Sequence, residues 1–134
     1  MTTRGPTEAD GERIEAAIRQ GGLVDITTRG RRTGEARRIE VGFFPLDGRV
    51  YISGMPGRRG WYANVLADPR FTFHLKRGVH ADLPARATPI TDVAERRRIL
   101  AHITKRWGQE RNLERFVAHS PLIEVTFEDR HPAA

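Results

Sequence analysis

The stretch Arg37-Arg38-Ile39-Glu40-Val41-Gly42-Phe43-Phe44-Pro45-Leu46-Asp47-Gly48-Arg49-Val50-Tyr51-Ile52-Ser53 decides how this chain folds. Residues 37–46 alternate, with Ile39, Val41 and Phe43 on one face, which is the period of a strand that buries one side only. Asp47-Gly48 then supplies the two positive-φ positions that a two-residue type I′ turn demands. Arg49 to Ser53 returns as the partner strand, so the chain is built around an antiparallel hairpin.

Upstream of the hairpin, Leu23 to Arg29 is rich in Val, Ile and Thr and predicts another strand, followed by the glycine-bracketed turn Gly30-Arg31-Arg32-Thr33-Gly34. Thr7 to Gln20 carries Ile14, Ala17 and Ile18 at helical spacing and stops at Gly21-Gly22, which predicts an N-terminal helix over about 7–20. Downstream, Gly54-Met55-Pro56-Gly57-Arg58-Arg59-Gly60 is too rich in glycine and proline for regular structure. Trp61 to Ala67 predicts a short helix stopped by Asp68-Pro69, because proline disfavours helix in the residue before it. Phe71 to Leu75 and Val79 to Ala87 predict two strands joined by Lys76-Arg77-Gly78, with Pro84 at an edge or bulge. Asp92 and Glu95 make a capping pair for a helix running to about Trp107, with Val93, Leu100, Ile103 and Trp107 on one stripe. Gly108 interrupts it, Asn112 to Ala118 predicts a further turn or two, and Leu122 to Phe127 a last strand. The C-terminal helix and strand thus span about 91–127. No repeat, linker or low-complexity segment divides residues 1–134, so one domain is expected. Six strands with short connections favour antiparallel pairing and closure. The expected class is mainly β (α+β): a small six-stranded antiparallel β-barrel with peripheral helices.

Composition narrows the function. With 38% hydrophobic and 30% charged residues, the chain is neither a disordered tail nor a membrane protein built on apolar spans. The segment Met1 to Asp10 has no apolar core of a secretory leader, so a cytoplasmic location is expected. The absence of cysteine excludes disulfides, thiolate metal sites and cysteine nucleophiles. His74, His80, His102, His119 and His131 show no i,i+4 pairing, and no metal site is expected. No serine sits in a nucleophile elbow and no carboxylate pair is placed for glycoside chemistry, so no catalytic residue is assigned. An anionic cofactor that brings its own reactivity fits better.

The charge says where such a cofactor would sit. The chain has 23 basic and 17 acidic residues, a formal charge of +6, and its only lysines are Lys76 and Lys105. A guanidinium fork grips a phosphate or carboxylate with two parallel hydrogen bonds. Five arginines and one acid, Glu35, fall between Arg29 and Arg38, and Arg58-Arg59 sits in the glycine-rich loop ahead of a helix start, where unpaired N–H groups favour anions. Each turn alone is also compatible with a solvated loop. Together they are expected to converge on one elongated anion, beside the aromatic surface of Trp61-Tyr62, one of whose rings is expected merely to cover the core. The third run, Arg96 to Arg98, reads as a solvated helix face.

Thr27-Thr28-Arg29-Gly30-Arg31-Arg32-Thr33-Gly34, then Arg37, then Asp47-Gly48-Arg49-Val50-Tyr51-Ile52-Ser53, Gly60-Trp61-Tyr62-Ala63-Asn64 and Ala67-Asp68-Pro69 together resemble the deazaflavin-dependent nitroreductase family. The likeness covers Leu23 to Ala87, roughly half the chain. It implies a split β-barrel, distantly related to the pyridoxamine phosphate oxidases that bind flavin mononucleotide (FMN). The cofactor it implies is the reduced 8-hydroxy-5-deazaflavin coenzyme (factor 420), with a phosphate and an oligoglutamate tail, and the reaction is hydride transfer to a quinone, nitro or other conjugated small-molecule acceptor. By the same likeness, Arg31, Arg32, Thr33 and Arg37 lie along the anionic portion of the cofactor. Ser53, Gly54, Met55, Pro56, Gly57, Arg58, Arg59, Trp61 and Tyr62 flank its phosphate and ring. The chain departs from the family where Pro56 replaces a commonly basic residue and where the region from Thr91 onward lacks a tyrosine-rich substrate wall, the only tyrosines being Tyr51 and Tyr62. Related barrels pair through their open side, so a homodimer is the expected assembly. The alternatives are an FMN-binding barrel and, in another class, a nucleic-acid-binding module. The chain lacks the patterned aromatic platform of a single-strand binder, and no nucleic-acid partner is expected.

Overall fold

The hairpin is the seam from which the barrel is assembled. In the computed structural model, which describes residues 8–128, β1 (Gly22–Arg29) pairs antiparallel with β2 (Ala36–Leu46), and β2 with β3 (Arg49–Ser53). Asp47 at φ 53° and Gly48 at φ 77° turn β2 into β3 as the sequence predicts. Beyond β3 come α2 (Gly60–Ala67), β4 (Arg70–Leu75) and β5 (Ala81–Pro89), then α3 (Val93–Arg106), a single 3-10 turn at Glu110–Asn112, α4 (Leu113–His119) and β6 (Leu122–Phe127). The strand order β1-β2-β3-β6-β5-β4 closes into a six-stranded barrel in which every pairing is antiparallel. Closure leaves no strand edge unpaired along the ring. Pro84 is placed accordingly: it stands opposite Thr72 but one residue beyond the last β5–β6 pair, Ala85↔Phe127, and its carbonyl accepts the Glu128 N–H at 3.0 Å. Its missing N–H falls where that ladder runs out. Val79, expected at the start of β5, lies ahead of the strand, which continues instead to Pro89.

Two cores follow from the alternation. Inside the barrel lie Val24, Ile26, Val41, Phe43, Ile52, Phe73 and Ile123, with Phe43 and Phe73 edge to face at 5.1 Å, and the described part of the N-terminal helix α1 (Glu8–Gln20) adds Ile14 and Ile18. Thr7, the expected first residue of that helix, lies outside the described residues. On the outer face of β2 and β3, Phe44 and Tyr51 meet Ile99, Leu100 and Ile103 of α3 and Phe116 of α4. The Asp92 carboxylate accepts the Glu95 N–H at 3.0 Å and starts α3, as the capping pair predicts. Val93 does not join the apolar stripe; at the helix's first residue it is 55% exposed, and Ile99 takes the place assigned to it.

The run Arg96-Arg97-Arg98 is not one solvated face. Arg97 and Arg98 are exposed and paired with Glu114 and with Glu95 and Asp47. Arg96 is only 9% exposed, because it lies one turn before Ile99 and Leu100 on the buried side of the helix. Its guanidinium donates to the carbonyls of Val117 (2.8 Å), Ile90 (2.9 Å), Ser120 (2.6 Å) and Phe116 (3.4 Å), tying α4 and the start of β6 to α3.

Candidate functional site

A glycine-bracketed turn carrying arginine can be held still only if something fixes its backbone. Here Gly30 N–H donates to Glu35 O (2.7 Å), Gly34 N–H to Gly30 O (2.8 Å), and the Thr33 hydroxyl accepts the Glu35 N–H (3.2 Å). Asn64 of α2 does the rest. Buried at 5% exposure, its Oδ1 accepts from the Arg31 backbone N–H (3.2 Å) and Nη1 (3.1 Å), while its Nδ2 donates to the Thr28 hydroxyl (3.0 Å). The turn and the first two turns of α2 thereby enclose a cleft of about 450 Å³, lined by Arg31, Arg32, Thr33, Arg37, Gly60 and Trp61 among others. Ile39 keeps the inward face of β2 but is 45% exposed, because it stands at this mouth rather than in the core. No aspartate or glutamate lines the cleft. Arg37 reaches Glu35 at 3.4 Å on the surface, whereas the Arg32 side chain has no partner among the described residues.

The loop from Ser53 to Gly60 is anchored on its far side. The buried Ser53 hydroxyl donates to Pro121 O (2.7 Å), and Gly57 N–H donates to His119 O (3.0 Å). Arg59 spends its guanidinium inside the loop, on the carbonyls of Arg58 (2.9 Å) and Met55 (3.0 Å). It is also the N-cap of α2, with no side-chain hydrogen bond to the helix's first N–H groups and no acid in the first turn, so that end stays open to an anion. Between this loop and the C-terminal helices lies a second cleft of about 540 Å³. Pro56, Gly57, Arg58 and Tyr62 line one side, and Arg96, Arg115, His119 and Ser120 the other. Burial pushes the Arg96 guanidinium below its ordinary range, and Tyr62 opposes that shift.

The two arginine turns therefore do not share one cavity. Arg32 lines the first cleft and Arg58 the second, with the opening turn of α2 between them: Gly60 and Trp61 face one side and Tyr62 the other. The reason is topological, since the basic turn hangs from β1 and β2 while the loop is stitched to Pro121 and His119 ahead of β6. Of the expected site residues, Arg31, Arg32, Thr33, Arg37 and Trp61 line the first cleft, and Pro56, Gly57, Arg58 and Tyr62 the second. Ser53, Gly54, Met55 and Arg59 line neither and shape the loop instead. Trp61 is the ring that also covers the core, at 5% exposure. Sequence reasoning missed Asn64, legible as a polar residue one turn after Trp61 on the same helix face, and Arg96, legible from its spacing to Leu100 and Ile103.

The family model described as F420H(2)-dependent quinone reductase matches residues 4–117 of the chain. The chain belongs to that family. It is accordingly an oxidoreductase acting on a small-molecule substrate, and the six-stranded barrel is the split barrel of that group. Among curated proteins no relative matches. Solved structures similar to this quinone reductase family member include a candidate pyridoxamine 5'-phosphate oxidase from Listeria innocua, with a TM-score of 0.68 and 15% identity over 87% of this chain and 92% of that one. A FAD-binding protein from Mesorhizobium loti has a TM-score of 0.58 and 14% identity over 88% and 87% of the two chains. A candidate 5-nitroimidazole antibiotic resistance protein from Bacteroides thetaiotaomicron has a TM-score of 0.61 and 13% identity over 87% and 79%. At these identities the likeness is one of fold. Among the described residues no helix is long and apolar enough to cross a membrane.

Proposed function

We propose that this enzyme takes its hydride from the reduced 8-hydroxy-5-deazaflavin coenzyme, bound with its anionic portion in the first cleft, and delivers it to a quinone or another conjugated acceptor such as a nitroaromatic. The observation that carries the reading is the unpartnered Arg32 in a carboxylate-free cleft that ends on the uncapped start of α2. Arg31, Arg32, Thr33 and Arg37 hold the phosphate and tail; each hydrogen bond to a charged oxygen contributes about 1.5–3 kcal/mol. Trp61 and Tyr62 give the ring a surface, and the loop Ser53, Gly54, Met55, Pro56, Gly57 with Arg58 and Arg59 shields it from water. The coenzyme supplies the hydride when bound; the chain orients its ring and excludes solvent. FMN, with one phosphate and no polyanionic tail, makes less use of the basic turn and is the competing ligand. A cytoplasmic location and pairing into a homodimer belong to the same reading, the second checked by light scattering.

The direct assay follows reoxidation of the reduced coenzyme with a panel of quinones and nitroaromatics. We expect enzyme-dependent oxidation by at least one quinone, and an Arg32→Ala variant whose KM for the coenzyme rises about tenfold with a smaller change in kcat. Reoxidation no faster than in buffer with every acceptor, or equal turnover with reduced FMN, overturns the reading.

A further inference from the structure

The second cleft has a wall whose chemistry the coenzyme does not account for. From the C-terminal third it receives Arg96, Arg115, His119 and Ser120, with Arg58 across from them and no aspartate or glutamate in its lining. The Arg58 and Arg115 side chains have no hydrogen bond or ion pair among the described residues. Arg96 is buried with four carbonyl partners and no carboxylate. Three of those carbonyls are the C-terminal end of α4, worth about half an elementary negative charge at most, so a net positive potential remains at the cleft. An arginine stays protonated at every working pH, and burial strengthens its field. Ser120 adds an independent sign. Its hydroxyl is the one buried side-chain polar atom without a hydrogen-bond partner among the described residues, where such groups are as a rule satisfied.

We infer that the second cleft binds the carboxylate of an anionic acceptor, Arg115 supplying the fork, Arg58 the facing cation and Arg96 the fixed charge behind them. The inference rests on the proposed function, because the acceptor must lie against the coenzyme, and the opening turn of α2 is the wall the two clefts share. The planar guanidinium of an exposed arginine matches a carboxylate bidentately. The carboxylate is a handle for recognition; the reducible part of the acceptor lies toward Tyr62. An apolar quinone without an acid would leave Arg58 and Arg115 desolvated and unanswered, which is costly. The preferred substrates are therefore conjugated acids.

The test uses the full chain and two probes of one shape, 2-naphthoate and its neutral counterpart 2-naphthamide, titrated by calorimetry at near-physiological salt. Naphthoate should bind at least tenfold tighter than naphthamide. Arg115→Ala, a surface change that does not threaten folding, should weaken naphthoate about tenfold, leave naphthamide unchanged and leave coenzyme binding within about twofold. Arg115→Lys should recover part of the loss. Equal binding of acid and amide, or an Arg115→Ala variant that loses coenzyme as severely as naphthoate, overturns the inference, the second result placing the coenzyme's own phosphate in this cleft. Coenzyme binding to the unaltered chain is a separate arm: its failure removes the reductase reading, while the acid-to-amide ratio still decides the anion site.

Discussion

Arg96 shows how much one residue can carry that its neighbours do not. It closes the C-terminus of α4 and joins three segments through backbone carbonyls alone. Replacing it with methionine, which follows the alkyl stem but carries no donor, leaves buried carbonyls unsatisfied, and since each such group costs about 1–3 kcal/mol, the variant should lose about 2–4 kcal/mol in urea denaturation. Lysine should not restore it, because a point charge cannot span four acceptors in a plane. Arg97→Ala, beside it but exposed and paired with Glu114, should change stability little. The difference was readable in principle. Three consecutive arginines look alike as composition, but only Arg96 shares the 3.6-residue phase of Ile99, Leu100 and Ile103. Asn64 teaches the same lesson on α2: a polar residue in the phase of a buried face has a partner to find, here Arg31 and Thr28.

At the level of elements, the hairpin carries the most local information. Gly48 at φ 77° sits where a side chain is strained, so Gly48→Val should cost about 1–2 kcal/mol and lower the melting temperature, measured by circular dichroism, without changing the spectrum of the folded state. Asp47→Gly should be tolerated at the same turn. Strand positions, the turn, the α3 cap and the helix stops were legible because each is set by residues within a few positions of one another. What was not legible is the side of α2 on which each arginine turn lies. That depends on β3 pairing with β6 and on Gly57 reaching His119, contacts between residues some seventy and sixty positions apart in the sequence. Local chemistry named both turns as anion sites; only the closed ring separates them into two clefts.

Across the whole molecule, charge is arranged in two ways. On the outer face of β1, β2 and β4, Asp25 accepts from Lys76 (2.6 Å) and Arg38 (3.1 Å), and Lys76 also pairs with Glu40. The hydrogen bond from Lys76, with help from Arg38 and against partial burial, holds Asp25 below the ordinary carboxylate value of 3.8, while Asp25 and then Glu40 raise Lys76 above its ordinary 10.5. A depressed carboxylate stabilises the fold above its unfolded value and loses that contribution as pH falls through the folded one; a raised lysine does so below its unfolded value and loses it in strong base. The melting temperature should therefore be flat at neutral pH and drop below about pH 4. Asp25→Asn should flatten that acid limb only in part, since Asp68, lowered by the Arg70 backbone N–H, and Glu95 and Glu114, lowered by Arg98 and Arg97, feed it too. At the barrel's mouth the arrangement is the opposite. No acid lines either cleft, and Arg32, Arg58 and Arg115 pair with none among the described residues, which is how a protein keeps cations free for a ligand rather than for itself.

That contrast makes one titration decisive. The purified chain is titrated with the deazaflavin coenzyme and, separately, with FMN, at two salt concentrations, and the titrations are repeated with Arg32→Ala. The account predicts micromolar binding of the coenzyme that weakens with salt, preference over FMN, and a loss of about tenfold together with a shallower salt dependence in the variant. Absence of coenzyme binding, or binding that Arg32→Ala leaves untouched, would contradict it.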